Sequence, residues 1–286
     1  MSDLAGDTLE QRGRAAYPRD RLLYTVRSGD GTAIAFGRVG EGPPLILVDG
    51  ALCHRGMGPS SALAALLAQD FTVFTYDRRG RGASGDTAPY GAEREIDDLR
   101  ALIDEAGGSA YVWGISSGAA LALEATRRGA SIAKLALYEP PFIVDDSRTP
   151  IPADIASQLT TLVAADRRGD AVRLFLRQMG APAVVIALMR LLPLWSKLTR
   201  IAHTLPYDMT ILAPYQTGTP LPAERWQDLR IPTLVMVGGK SPIWFHHSMR
   251  ALAAVLPNSA HRVVAGQTHN VKPKALAPLL KEFFNA

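Results

Sequence analysis

The stretches "PPLILVDG" (43–50), "FTVFTYD" (71–77), "AYVWG" (110–114), "KLALYE" (134–139) and "TLVMVGG" (233–239) are apolar at almost every position. A strand with one wet face alternates apolar and polar residues, so these runs read as strands buried on both faces. Helical patterns lie between several of them. In "AEREIDDLRALIDEAGG", Ile96, Leu99, Ile103 and Ala106 recur at helical spacing, acidic residues fill the first turns, and Gly107-Gly108 ends the pattern. "SSGAALALEATRRG" is a second helix, ended by Gly129. "RLLYTV" and "AIAFGRV", around Asp30-Gly31, read as a hairpin ahead of this alternation, and "HRVVAG" as the last strand. Strands alternating with helices imply an α/β fold: a mostly parallel sheet with helices on both faces.

The rhythm breaks over about residues 142–225, which read as several helices separated by prolines, with no clear strand. The expected organisation is a flexible polar tail (1–19), a core (20–141 and 226–286) and a helical cap or lid (142–225) over a pocket. Val184, Leu188, Leu191 and Trp195 are candidates for the roof of that pocket.

The chain has 286 residues, one cysteine and a net charge of +4. One cysteine excludes an internal disulfide and a cysteine-rich metal cluster. The arginines are scattered, with no basic run or aromatic ladder, so they read as solvated surface and nucleic acid is not an expected partner. "MSDLAGDTLEQRGRAAYPRD" lacks the apolar core of a signal peptide. "APAVVIALMRLLPLW", interrupted by Arg190 and Pro193, is too short to span a bilayer. The expectation is a cytoplasmic protein with a small-molecule substrate, no membrane partner and a possible homo-oligomer. No cofactor or metal is implied, because neither zinc-type ligand spacing nor a phosphate loop is present.

The chemistry gathers at "YVWGISSGAALAL", which runs strand, Gly-x-Ser-x-Gly, helix. Small residues at 114 and 118 let strand and helix approach closely. The sharp turn then presents the Ser116 hydroxyl above the sheet edge, beside free N–H groups of the helix N-terminus. His269, in "VVAGQTHN", lies in the loop after the last strand. A neutral imidazole there can take the Ser116 proton and return it to a leaving group. His203, His246, His247 and His261 read as surface or packing residues, and His54, in "ALCHRG", as a pocket residue.

With "LILVDGA", "YDRRGRGAS", "GISSG", "YEPPF" and "GQTHN" in this order, the chain resembles the α/β-hydrolase family over about residues 20–285. The resemblance implies an oxyanion hole made by the backbone N–H groups of Ala51 and Ser117. Asp49 stands where the family commonly has histidine, and Ile115 stands before the nucleophile where a polar residue is frequent, suggesting an apolar pocket wall. "YDRRGRGAS" is implied to be a structural turn, with no catalytic role for Asp77 or Arg78.

A triad needs an acid, and the family's usual place for it is occupied by Ser241 in "GGKSPIW". Three readings stay open. The acid has moved to Glu139, at the end of the preceding strand, as in haloalkane dehalogenases, whose nucleophile is however aspartate. Neighbouring strand ends of a parallel sheet can both reach one imidazole. Alternatively Ser116 and His269 act as a dyad, or the chain is a non-hydrolytic ligand binder, lyase or cofactor-free catalyst. Asp145 and Asp146 lie farther along, in the insertion. The reading adopted is a serine hydrolase of an ester or lactone of a small, mainly apolar molecule, with Ser116, His269 and Glu139 as catalytic residues.

Overall fold

The structure, a computed structural model, describes residues 23–286. The tail expected over 1–19 lies outside the described residues. The strands are β1 (Tyr24–Arg27), β2 (Ala33–Val39), β3 (Pro44–Val48), β4 (Thr72–Tyr76), β5 (Ala110–Ile115), β6 (Ile132–Tyr138), β7 (Thr233–Gly238) and β8 (Ser259–Val264). The helices are α1 (Ser60–Leu67), α2 (Ala92–Glu105), α3 (Ser117–Arg127), α4 (Ile155–Ala164), α5 (Arg168–Gln178), α6 (Ala183–Met189), α7 (Pro193–Ile201), α8 (Leu205–Leu212), α9 (Ile243–Val255) and α10 (Pro273–Asn285).

The strands form one eight-stranded sheet in the order β1-β2-β4-β3-β5-β6-β7-β8. The β1–β2 and β2–β4 pairs are antiparallel, and the remaining pairs are parallel. The non-alternating runs are the parallel strands, apolar on both sides because helices cover both. Leu45, Leu47, Trp113, Ala136 and Leu234 pack under Leu63 and Leu67 of α1 and Leu276 and Leu280 of α10. Ile46, Val112, Leu135, Leu137 and Val235 share the other face with Leu99 of α2, Leu121 of α3 and Met249 of α9.

Register decides what meets at the carboxyl ends of the strands. Ile115 pairs with Tyr138, and Tyr138 with Met236. One residue further along each strand therefore brings Ser116, Glu139 and the β7 end to the same edge. Between β6 and β7 the chain forms α4–α8 with no strand. α8 packs on both α3 and α4, which binds this segment to the core. Among the described residues no helix is long and apolar enough to cross a membrane.

Candidate active site

Ser116 caps α3 with φ 57° and ψ −128°, a left-handed backbone that a residue with a Cβ adopts only under constraint. The constraint is close packing. A Cβ on Gly114 would sit 2.7 Å from the Ala119 Cα, and one on Gly118 2.4 Å from the Val48 carbonyl oxygen. The Ser116 N–H donates to the Tyr138 carbonyl at 3.0 Å, fastening the turn to β6. A Cβ on Gly50 would stand 2.9 Å from the Ser116 Cβ, so the 49–51 backbone runs directly beside the serine.

His269 sits in the loop after β8, with Nδ1 2.8 Å from Glu139 Oε2. Glu139 is fully buried and its backbone also has a positive φ, 46°. Its other oxygen, Oε1, accepts the Gly238 N–H at 2.6 Å. One carboxylate therefore touches both the imidazole and the end of β7. Tyr138, the preceding residue, donates its hydroxyl to the Thr268 carbonyl at 2.7 Å, so β6 holds the histidine loop at two adjacent positions. The Phe245 ring stacks on the imidazole, with centroids 5.0 Å apart. Ser241, at the position of the missing acid, is buried, and among the described residues its hydroxyl has no partner. Asp145 does meet a histidine, but it is His247, at 2.6 Å.

The Ala51 and Ser117 amides have no acceptor among the described residues. Ser117 is the first residue of α3, where N–H groups lack intrahelical partners. Behind these amides lies a network that corrects the reading of the arginines as solvated surface. Arg78, Arg79 and Arg81 are 1%, 0% and 1% exposed. Arg78 forks onto Glu95 at 2.6 and 2.8 Å, and Arg79 onto Asp98 at 2.8 and 2.7 Å. Glu95 and Asp98 of α2 are thus partners of buried guanidinium groups. Asp208 of α8 accepts from Arg78 at 2.8 Å, Arg81 at 2.7 Å and the Ser117 hydroxyl at 2.7 Å. Burial alone would raise the Asp208 pKa, but Arg81 and Arg78 outweigh it and hold the carboxyl below its usual range. Arg81 also donates to the Gly50 carbonyl at 2.7 Å. That carbonyl belongs to the peptide whose N–H is Ala51's, so α8 is tied to the candidate oxyanion loop through one arginine.

Asp49, on the same loop, accepts from the Ser60 hydroxyl at 2.6 Å. Burial raises its pKa to about 6, against the opposing pull of Ser60, Arg81 and Arg78. Burial, together with the nearby Asp49, pushes the Cys53 thiol up to about 12, which favours the protonated thiol.

Two cavities open on Ser116 and His269. One, of about 420 Å³, is lined by Ala51, Cys53, Ile115 and Val271. The other, of about 480 Å³, runs between Phe175, Leu176 and Met179 of the α5 region and Trp244 and Phe245 of α9. Ile115 thus lines the space beside the serine. His54 and Trp195 do not. The His54 Nδ1 accepts the Gly56 N–H at 3.0 Å, and burial lowers its pKa. Trp195 lines a separate surface depression with Arg168 and Thr199. Val184, Leu188 and Leu191, expected in the roof, point outward, with Leu191 82% exposed. Their segment is apolar on several faces, and periodicity alone did not distinguish which face turns inward; α5 supplies the wall instead. Among the described residues no group of three or more His, Cys, Asp or Glu side chains is placed to hold a metal ion.

An α/β sheet with a strand–Ser–helix elbow, a loop histidine after the last strand and a carboxylate on that histidine defines the hydrolase class of this architecture. The chain belongs to the Alpha/beta hydrolase family, whose model matches residues 50–279. A similar solved structure is an alpha/beta hydrolase from Sphaerobacter thermophilus DSM 20745, 50% identical, with TM-score 0.84, covering 91% of this chain and 100% of that one. More distant likenesses share the fold. A thermophilic esterase from Thermogutta terrifontis is 23% identical at TM-score 0.63, covering 93% of this chain and 98% of that one. A naproxen esterase from Bacillus subtilis is 16% identical at TM-score 0.65, covering 94% and 93%. No curated protein matches the chain.

Proposed function

We propose that the protein is a serine hydrolase that cleaves an ester or lactone of a small, mainly apolar molecule through an acyl-enzyme on Ser116. The observation that carries this reading is the 2.8 Å contact between Glu139 and the His269 Nδ1, on a histidine that shares its cavity with Ser116. With Nδ1 bound to the carboxylate, Nε2 is the nitrogen free to act on the serine. Esterases among the structural likenesses agree with it.

Ser116 Oγ adds to the carbonyl carbon as its proton passes to His269 Nε2. Negative charge collects on the former carbonyl oxygen, where the Ala51 and Ser117 N–H groups receive it. Glu139 stabilises the imidazolium and fixes its tautomer. Collapse of the intermediate breaks the bond to the alkoxy oxygen, which leaves with the histidine's proton. A water then adds to the acyl carbon by the same route, releasing the acid and restoring Ser116. The lid, residues 142–225, contributes substrate choice through Phe175, Leu176 and Met179.

A fluorophosphonate probe tests the reading directly, because it labels only an activated serine. The wild-type protein is expected to take one label and to hydrolyse p-nitrophenyl esters or lactones. Ser116→Ala is expected to lose both while keeping its fold, since the elbow needs only a small residue there. Equal hydrolysis by the purified variant would remove Ser116 as nucleophile.

A further inference from the structure

Two cationic residues, the half-buried Arg148 and the exposed Lys240, line the cavity beside Ser116, and among the described residues neither is paired with an acid. Arg148 lies in the loop after β6 and lines the larger cavity together with Ser116 and His269. Its guanidinium carbon stacks 4.2 Å from the Trp244 ring centroid, and Nη2 donates to the Gln178 carbonyl. Lys240 lines the same cavity from "GGKSPIW", with its backbone N–H held by the Gln267 carbonyl at 2.7 Å. Among the described residues neither side chain has a carboxylate partner. Arg148, half-buried without an acid, departs from Arg78, Arg79 and Arg81, each buried against acids.

Of the acids at the β6 end and in the loop after it, Glu139 and Asp145 are already engaged, and the exposed Asp146 forms no ion pair with Arg148. Glu139 is spent on His269 and Gly238, and Asp145 on Ser147 and His247. Burial lowers the Arg148 pKa, the cost of a guanidinium partly withdrawn from water without an anion. Stacking on Trp244 fixes the plane of the guanidinium, and a planar fork is the geometry that takes a carboxylate through two parallel hydrogen bonds. Around the two charges the wall is apolar: Phe175, Leu176 and Met179.

We infer that this cavity is an anion-selecting substrate site, taking esters whose apolar body ends in a carboxylate held by Arg148 and Lys240. The inference rests on the serine hydrolase reading and narrows it. The substrate keeps a mainly apolar body, and its charged end is what distinguishes it from a plain aliphatic ester. With that carboxylate on the acyl part, hydrolysis consumes one water and releases an alcohol and a dicarboxylate.

The test compares mono-p-nitrophenyl glutarate with p-nitrophenyl pentanoate, which differ mainly in a terminal carboxylate. The wild type is expected to prefer the glutarate ester in kcat/KM. In Arg148→Gln and Lys240→Gln the ratio of the two kcat/KM values is expected to fall, by on the order of 10–100-fold in the double variant, the range for losing charged hydrogen bonds. The ratio is insensitive to a general loss of folded protein, which lowers both rates together. A ratio near one in the wild type, unchanged by either substitution, overturns the anion site and leaves the hydrolase reading standing. If the wild type hydrolyses neither ester, the hydrolase reading fails only when the fluorophosphonate label is absent as well, and calorimetry with glutarate decides the site separately. Binding to Ser116→Ala that disappears when Arg148→Gln is added upholds it, and absence of binding overturns it.

Discussion

Glu139 Oε2 lies 2.8 Å from the His269 Nδ1, while Oε1 of the same carboxylate accepts the Gly238 N–H at 2.6 Å. The acid side chain thus joins the end of β6 to the end of β7 and to the histidine loop. Aspartate at 139 is one methylene shorter and is poorly suited to reach both partners. Ser241, one strand over, is left without a role toward the imidazole.

Glu139→Gln is therefore expected to lower kcat by on the order of 10²–10⁴. The amide oxygen can still accept from Gly238, so Tm is expected to change little. What is lost is the charge beside the imidazolium. Ser241→Asp in that variant is expected to restore part of the activity. A fully active Glu139→Gln enzyme refutes the assignment of Glu139 as the acid, and steady-state kinetics of the three proteins is sufficient to decide.

In the proposed mechanism Ser116 and His269 act on one proton, so their losses are not expected to add. His269→Ala is expected to reduce turnover about as far as Ser116→Ala, with the double variant little worse than either single one. Clearly additive losses in kcat would mean that the two residues work independently.

Some of this is legible along the chain and some is not. The strands, the elbow and the meeting of Glu139 with His269 follow from local apolar runs plus strand adjacency, because neighbouring strand ends are neighbours in space. The cavity wall is different. Trp195, in an apolar stretch, reads as a roof residue, yet it stands over a separate depression, while Phe175 takes the place beside Ser116. Which side of each helix turns inward depends on how α4–α8 pack against α3 and on one another. The buried arginines are equally opaque. "DRRGR" resembles any solvated basic turn until Asp208, 127 residues from Arg81, packs against it.

Phe175→Ala is accordingly expected to raise KM and alter the ranking of a series of acyl chain lengths, with Trp195→Ala close to wild type. The measurement is kcat/KM across p-nitrophenyl esters of increasing length. The reverse pattern would return Trp195 to the pocket and remove α5 from it.

Asp49 makes a pH-dependent contribution to stability. Burial raises its pKa to about 6, so between the ordinary carboxylate range and pH 6 the folded protein holds a proton that the unfolded chain has released. The stabilisation is complete at low pH and is lost as pH rises through about 6. Asp49→Asn resembles the neutral acid and can still accept from Ser60. Its Tm relative to wild type is expected to rise between pH 4 and pH 7 and then level off. Asp98, raised to about 6 by burial, titrates in both proteins and cancels in the comparison. A difference in Tm that does not vary with pH would refute the assignment.

Arg81 ties α8 to the loop proposed to carry the oxyanion donor Ala51. Arg81 spans the Asp208 carboxylate and the Gly50 carbonyl, both at 2.7 Å, and so holds the peptide that carries the Ala51 N–H. Asp208→Asn removes the buried charge that compensates Arg81, and breaking a buried pair in this way typically costs about 3–5 kcal/mol. A marked fall in Tm is expected. Arg81→Lys keeps a positive charge for Asp208 but loses the fork that reaches both partners. Its stability loss is expected to be smaller, while kcat still falls, by roughly 10-fold or more. That is less than the ~10²–10³ that accompanies loss of a whole oxyanion donor, because the amide is displaced and not deleted. The fall is expected in kcat with KM nearly unchanged, since an oxyanion contact acts in the transition state more than on the bound substrate. If KM rises and kcat holds, Arg81 serves substrate binding instead. If Arg81→Lys changes only Tm, the arginine supports the fold and leaves the Ala51 amide in place without it.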